Sequence, residues 1–236
     1  MTTVLIHPVG LDRHCWDWVS LTGAVAHDLP AHGGRPRPGD LTMAAFADDV
    51  VSSYEGPLHL VGLSMGGMVA LQAALRHVRR VRSLVVACSN AAAVREVMLE
   101  RAEAVEVGGM EPVLESTLER WFTPEALAGG HPGVEYARRR LLADDPADFA
   151  ACWRAMAGHN VADRLGEIRV HVTAIAGDAD RSSPVAALER IASGVERGRL
   201  RVLKGPHMLQ LEEPAAFTAA VEEHLAWVEA MGEAGN

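Results

Sequence analysis

The stretch LHLVGLSMGGMVALQAAL, from Leu58 to Leu75, leaves a chain little freedom in how to fold. An apolar run ending at Leu63 reads as a buried strand, a helix-forming run opens at about Met65, and Ser64 stands alone between them. Gly62 and Gly66 flank it two residues away on either side. A strand that becomes a helix without a loop must turn sharply, and glycine removes the Cβ atoms that would collide in the turn. The side chain at such a turn projects from the carboxyl edge of a parallel sheet, where open α/β folds bind their ligands. It also stands at a helix N-terminus, where the dipole favours developing negative charge. This Gly-x-Ser-x-Gly pattern in its strand–turn–helix context is the signature of a nucleophile elbow.

The remainder of the chain supplies the sheet that such an elbow needs. Short apolar runs recur at Thr3–His7, Gly23–Leu29, Val81–Cys88, Arg169–Gly177 and Arg199–Leu203, separated by patterns of helical period. Thr42 precedes one such pattern as an N-cap, and Pro214 suits the first turn of the last. Strands alternating with helices, several of them continuously apolar, imply an α/β fold with a mostly parallel sheet of about six strands covered on both faces. From about Ala91 to Gly166 the alternation stops and only helical segments appear, punctuated by VGGM, AGGHPG and DDP. The expected organisation is a core of residues 1–90 and 167–236 with a helical cap at 91–166.

Composition narrows the function classes. The chain of 236 residues carries 31 acidic against 22 basic side chains, a formal net charge of −9. Nucleic acids and anionic membranes call for clustered positive charge, so the expected partner is a small molecule. Cys15, Cys88 and Cys152 are too few and too scattered for a disulfide framework. That suits a reducing compartment. The opening apolar run lacks a basic leader and no run has membrane-spanning length, so a cytoplasmic protein is expected.

A serine hydroxyl needs a base, and the base needs an acid to hold its tautomer. After the run ending at Gly177 comes DADRSSP, which offers Asp178 and Asp180 at a strand's carboxyl end. After the run ending at Leu203 comes KGPHMLQLEEP, which offers His207 before the final helix. The Met65 N–H, next to the serine, is the first candidate donor to an oxyanion. Other histidines have structural readings: His59 within a strand, His77 at a helix end and His7 supporting a loop backbone.

With these residues in place, the chain resembles the α/β-hydrolases, and within them the 3-oxoadipate enol-lactonases. The resemblance extends over most of the chain and includes the segments LERWFTPEAL and HPGVEYARRRLLADDPADFAACWRAM of the insertion. It implies that the acid closes the Gly-x-x-Asp segment Gly177–Asp180, which selects Asp180 and leaves Asp178 a turn or capping role. It implies a second oxyanion donor in HPVGLD, at Val9, although His-Pro replaces the usual His-Gly. Typical relatives begin with an antiparallel hairpin before the first strand, so the sheet is expected to be truncated there, with a trimmed first helix and an edge that a homo-oligomer could cover. The cap would line the substrate site, with Trp121, Arg138 and Trp153 as candidate contacts. Arg138, Arg139 and Arg140 are consecutive on a helix and fan over about 200° of its circumference, so at most two face inward; a solvated face is the other reading of this group, as cap core is of Trp121, Phe122 and Trp153. The implied activity is hydrolysis of a carboxylic ester or lactone through an acyl-enzyme on Ser64, with no cofactor and no metal. Carboxylesterase, carbon–carbon hydrolase, perhydrolase or haloperoxidase chemistry shares this machinery, and a slowly turning ligand sensor could retain the fold.

Overall fold

The apolar runs become β1 (Thr2–Ile6), β2 (Ala24–His27), β3 (Leu58–Leu63), β4 (Val81–Ala87), β5 (His171–Gly177) and β6 (Gly198–Leu203). In the computed structural model, which describes residues 1–233, they form one sheet in the order β2-β1-β3-β4-β5-β6 with every neighbouring pair parallel. Inner strands β3 and β5 are buried at every residue, which is why their sequences read as continuous rather than alternating apolar runs. Edge strand β6 is half-buried and carries Arg199 and Arg201, charges that discourage pairing with a further strand. The second apolar run is shorter as a strand than its sequence suggests, and the crossover before it holds a single 3-10 turn at Arg13–Trp16 instead of a full helix.

The chain leaves β1 toward β2 on one side and returns to β3 on the other. That reversal of strand order opens a crevice at the carboxyl ends of β1 and β3, the position at which such sheets hold ligands. Helix α1 (Met43–Ser52) packs on α2 (Met65–Arg76), which in turn packs on β3 and β4. Thr42 caps α1 by accepting the Ala45 N–H at 3.0 Å.

Between β4 and β5 the chain forms α3 (Arg95–Gly108), α4 (Glu111–Trp121), α5 (Pro124–Ala128), α6 (Pro132–Ala143) and α7 (Pro146–Ala157). Their starts follow from the sequence punctuation: Thr123 and Asp145 accept backbone N–H groups as N-caps, each followed by a first-turn proline. The two ends of this excursion meet where Ala92 and Asn160 form an isolated antiparallel bridge. Helix α6 is tied to the loop after β1, for Tyr136 Oη donates to Asp12 Oδ1 at 2.7 Å and Arg140 Nε lies 2.8 Å from Asp12 Oδ2. Helices α8 (Val185–Gly194), α9 (Leu209–Glu212) and α10 (Pro214–Glu233) complete the chain, with α8 against β5 and β6 and α10 against β4, β5 and β6. Among the described residues no helix is long and apolar enough to cross a membrane.

Candidate active site

Ser64 is the residue at which β3 becomes α2. Its backbone, at φ 56° and ψ −116°, lies where a residue with a Cβ is strained. Four hydrogen bonds hold it there: Ser64 N–H donates to Ala87 O at 2.9 Å, while Ser64 O accepts from Gly67 N–H at 2.9 Å, Met68 N–H at 3.2 Å and Ser89 Oγ at 2.7 Å. The two flanking glycines have distinct partners. A Cβ on Gly62 would overlap the Gly66 carbonyl, and one on Gly66 would overlap the Ile6 carbonyl of β1. The elbow is therefore pressed against the backbone of the neighbouring strand.

His207 lies in the loop between β6 and α9, with Nδ1 at 2.8 Å from Asp180 Oδ2, and both side chains are buried. The other carboxylate oxygen of Asp180 accepts the Ser182 N–H at 2.7 Å and the Ser183 N–H at 3.0 Å. Burial alone would raise the Asp180 pKa, but His207 and the two N–H donors outweigh it and hold the group below the ordinary carboxylate range. An ionised Asp180 can only accept, so His207 Nδ1 carries the shared proton and its Nε2 is left as an acceptor. Asp178 is exposed and accepts the Gly205 N–H at 2.9 Å, turning toward the backbone of the histidine's loop.

Ser64, His207, Val9, Trp121 and Trp153 line one narrow cavity of about 30 Å³. The structure thus brings together Ser64 with His207, and His207 with Asp180. The Met65 N–H stands in the first turn of α2, where no intrahelical acceptor exists. Val9 is buried on the cavity wall in the loop after β1. Two neutral histidines brace that loop. His7 Nε2 accepts the Leu29 N–H at 3.0 Å and His7 Nδ1 donates to Pro8 O at 2.8 Å; His32 Nε2 accepts the Gly10 N–H at 3.3 Å and His32 Nδ1 donates to Pro30 O at 3.0 Å. Burial lowers both rings to about 3, so each keeps one donor and one acceptor. Gly10, at φ 72°, is covered by Phe149 and Leu141 of the cap, and a Cβ there would meet both.

Of the three cap residues read from the sequence, Trp121 and Trp153 face the cavity. Arg138 does not reach it. Its guanidinium pairs with Glu115 across the outer surface of α4 and α6. Arg139 is exposed and Arg140 turns inward to Asp12 and Asp144, away from the serine. Helical phase and the position of α4 decide this, and neither can be read from three consecutive arginines.

A model of the alpha/beta hydrolase family matches residues 3–221. The chain belongs to this family. 3-Oxoadipate enol-lactonase 2 of Acinetobacter baylyi is 28% identical over 208 residues, covering 84% of this chain and 76% of that protein. The pimeloyl-acyl-carrier-protein methyl ester esterase of Aeromonas hydrophila is 25% identical over 236 residues, covering 93% of each. Among solved structures, the enol-lactonase from Burkholderia xenovorans LB400 has the same fold, with a TM-score of 0.91 at 23% identity over 95% of this chain and 91% of that one.

Sequence reasoning missed several residues of this alpha/beta hydrolase's site. Cys88 follows β4 at φ 46°, and its thiol lies with Asp180 and His207 in a cluster whose ligand-type atoms are all within 4.8 Å. The cluster is not arranged to hold a cation: Asp180 and His207 already bond to each other, and burial pushes the Cys88 thiol well up, which keeps it protonated. Ser89 was hidden because its task is a backbone bond to the elbow. Arg101 was hidden because it stands on a cap helix with no motif around it, yet it lines the serine's cavity.

Proposed function

We propose that this alpha/beta hydrolase is a cofactor-independent serine hydrolase of carboxylic esters or lactones, most like the enol-lactonases among its relatives, acting on a small-molecule substrate. Ser64 Oγ attacks the carbonyl carbon while His207 Nε2 takes its proton, and Asp180 stabilises the imidazolium that forms. The Met65 and Val9 N–H groups receive the developing oxyanion. Removing one such donor costs about 2.7–4 kcal/mol in barrier in comparable sites. The leaving alkoxide or enolate takes the proton from His207, and water then attacks the acyl-enzyme with His207 again acting as base. For a lactone the leaving group stays tethered to the acyl half, so ring opening and acylation are a single event.

The observation that carries this reading is the buried 2.8 Å contact between His207 and Asp180 at a cavity shared with a serine held at positive φ. Positive φ at a serine between β3 and α2 is a costly arrangement for a structural turn and the expected one for a nucleophile presented to a cavity. The test is hydrolysis of a panel of short esters and lactones by the wild type and Ser64→Ala. Loss of about 10⁶ in kcat is expected if the three residues act as a unit. Near-normal turnover by Ser64→Ala would overturn the mechanism.

A further inference from the structure

A second, larger chamber adjoins the serine's cavity inside the cap. It encloses about 180 Å³ between α3, α4 and α7, and Arg101 and Trp153 belong to the walls of both spaces. The cavity at Ser64, of about 30 Å³, has room for little more than one or two waters. It can hold the reacting carbonyl, and the body of a substrate must extend elsewhere. The adjoining chamber is where the walls lead.

Two arginines dominate that chamber, and neither makes an ion pair among the described residues, the acid that acts on Arg120, Glu119, lying beyond ion-pair distance. Arg101 is half-buried, its guanidinium lies over the Trp153 ring at 4.8 Å from the centroid, and it donates to no other described residue. Arg120 donates to Ser116 O at 2.6 Å and Thr117 Oγ1 at 2.8 Å, which are neutral groups, and its buried Nε has no partner. Glu100 lies at the rim and is exposed. Burial lowers the pKa of both groups, and repulsion from Arg101 helps bring Arg120 to about 10; a guanidinium nonetheless stays charged at neutral pH. Elsewhere in the cap Arg138 pairs with Glu115, Arg140 with Asp12 and Asp144, and Arg154 with Glu106, while Arg95 and Arg139, which make no ion pair among the described residues, are exposed to water. Leaving two neighbouring, half-buried guanidinium groups without an ion pair is unfavourable for the fold, and an incoming anion would relieve it. The rest of the wall, including Val113, Val105 and Phe149, suits an aliphatic chain.

We infer that Arg101 and Arg120 form a carboxylate-binding subsite in the cap, selecting esters or lactones that carry a free carboxylate on the part entering this chamber. The inference rests on Ser64 being the nucleophile. A guanidinium takes a carboxylate through two parallel N–H bonds, and Arg101, free of other partners, is the primary anchor with Arg120 behind it.

The test compares 4-nitrophenyl hemiesters of linear dicarboxylic acids with the esters of monocarboxylic acids of equal carbon number, after subtraction of spontaneous hydrolysis. The readout is the ratio of kcat/KM, charged over neutral, so that a general loss of activity in a variant cancels. The wild type is expected to favour the charged ester by about 10- to 100-fold at its best chain length. Arg101→Gln should bring the ratio close to one, and Arg120→Gln should lower it severalfold. Competitive inhibition of neutral-ester hydrolysis by a free dicarboxylate but not by its diamide gives the same answer in the wild type alone, should a variant fail to fold. A wild-type ratio of one or less at every chain length, or a ratio that survives both substitutions, would overturn the subsite. Ser64→Ala separates the two levels: if it abolishes hydrolysis of both esters while the wild-type ratio stays near one, the serine mechanism stands and the subsite falls.

Discussion

Asp180→Asn isolates the electronic role of the acid from its structural one, because the structure shows what the amide could keep. Asp180 Oδ1 accepts two backbone N–H groups, from Ser182 and Ser183. An asparagine Oδ1 can accept the same two bonds, so the loop after β5 keeps its anchor. The Nδ2 group would then face His207 Nδ1 across the present 2.8 Å contact. A donor there forces His207 Nδ1 to become an acceptor, which moves the ring proton to Nε2. The nitrogen facing the serine side of the cavity then cannot accept a proton from Ser64. The variant is expected to lose about 10⁴ in kcat, or about 5 kcal/mol in barrier, with its fold intact. Stopped-flow or spectrophotometric hydrolysis of an activated ester measures the loss, and the urea midpoint checks the fold. Asp178→Asn is the control, since an amide oxygen can still accept the Gly205 N–H; its kcat should stay within a few-fold of wild type. Activity of Asp180→Asn within tenfold of wild type at an unchanged urea midpoint would refute the tautomer argument.

The remaining expectations concern stability. Gly66→Ala would drive a Cβ into the Ile6 carbonyl, a backbone atom in mid-sheet that cannot move aside, so unfolding free energy should fall by about 3 kcal/mol or more, read from urea denaturation; a change below 1 kcal/mol would contradict the close packing at the elbow. Tyr136→Phe removes a 2.7 Å bond to a buried carboxylate and should lower unfolding free energy by about 1.5–3 kcal/mol, measured the same way against Asp12→Asn in a double-mutant cycle. His7, His32 and His224 are each lowered to about 3 by burial, so between the ordinary histidine range and about pH 3 the unfolded chain binds protons that the fold does not. Stability should therefore be full above about 6.5 and fall below it, by up to about 1.4 kcal/mol per pH unit for each histidine. Asp144, raised by burial to about 7 against the pull of Arg140, works in the opposite sense from about 7 down to 4, but the histidines outnumber it; a urea midpoint that stays level or rises from pH 7 to 5 would contradict this assignment.

What the sequence disclosed and what it withheld divide along a physical line. The buried strands, the elbow and the histidine loop are local patterns, each fixed by residues within a few positions of one another, whereas spacing offered both Asp178 and Asp180 and only the family resemblance selected Asp180. The helical excursion could be recognised from its broken alternation and its capping punctuation. The facing of its helices could not. Arg138 was a reasonable inward candidate until α4 brought Glu115 beside it, whereas Arg101 faces the cavity because α3 packs along α7. Cys88 and Ser89 escaped notice for a similar reason: they serve the elbow and the acid from the adjoining strand end, a relation set by sheet order and not by spacing along the chain.

The single bridge between Ala92 and Asn160 gives the molecule the character of a handle with an exchangeable head. Everything from α3 to α7 departs from and returns to one point, so residues there can be replaced, lengthened or shortened without disturbing the register of β4 against β5. Bond-breaking and substrate choice can then diverge at different rates within one lineage. Several constraints travel across the joint, among them the bonds from the Met208 N–H to the Trp121 carbonyl and from the Thr123 N–H to Glu212. The loop that carries Val9 is fastened through Asp12 to Tyr136 and Arg140 of α6, so a grafted head that lacked those two side chains would arrive with its chemistry half unmoored.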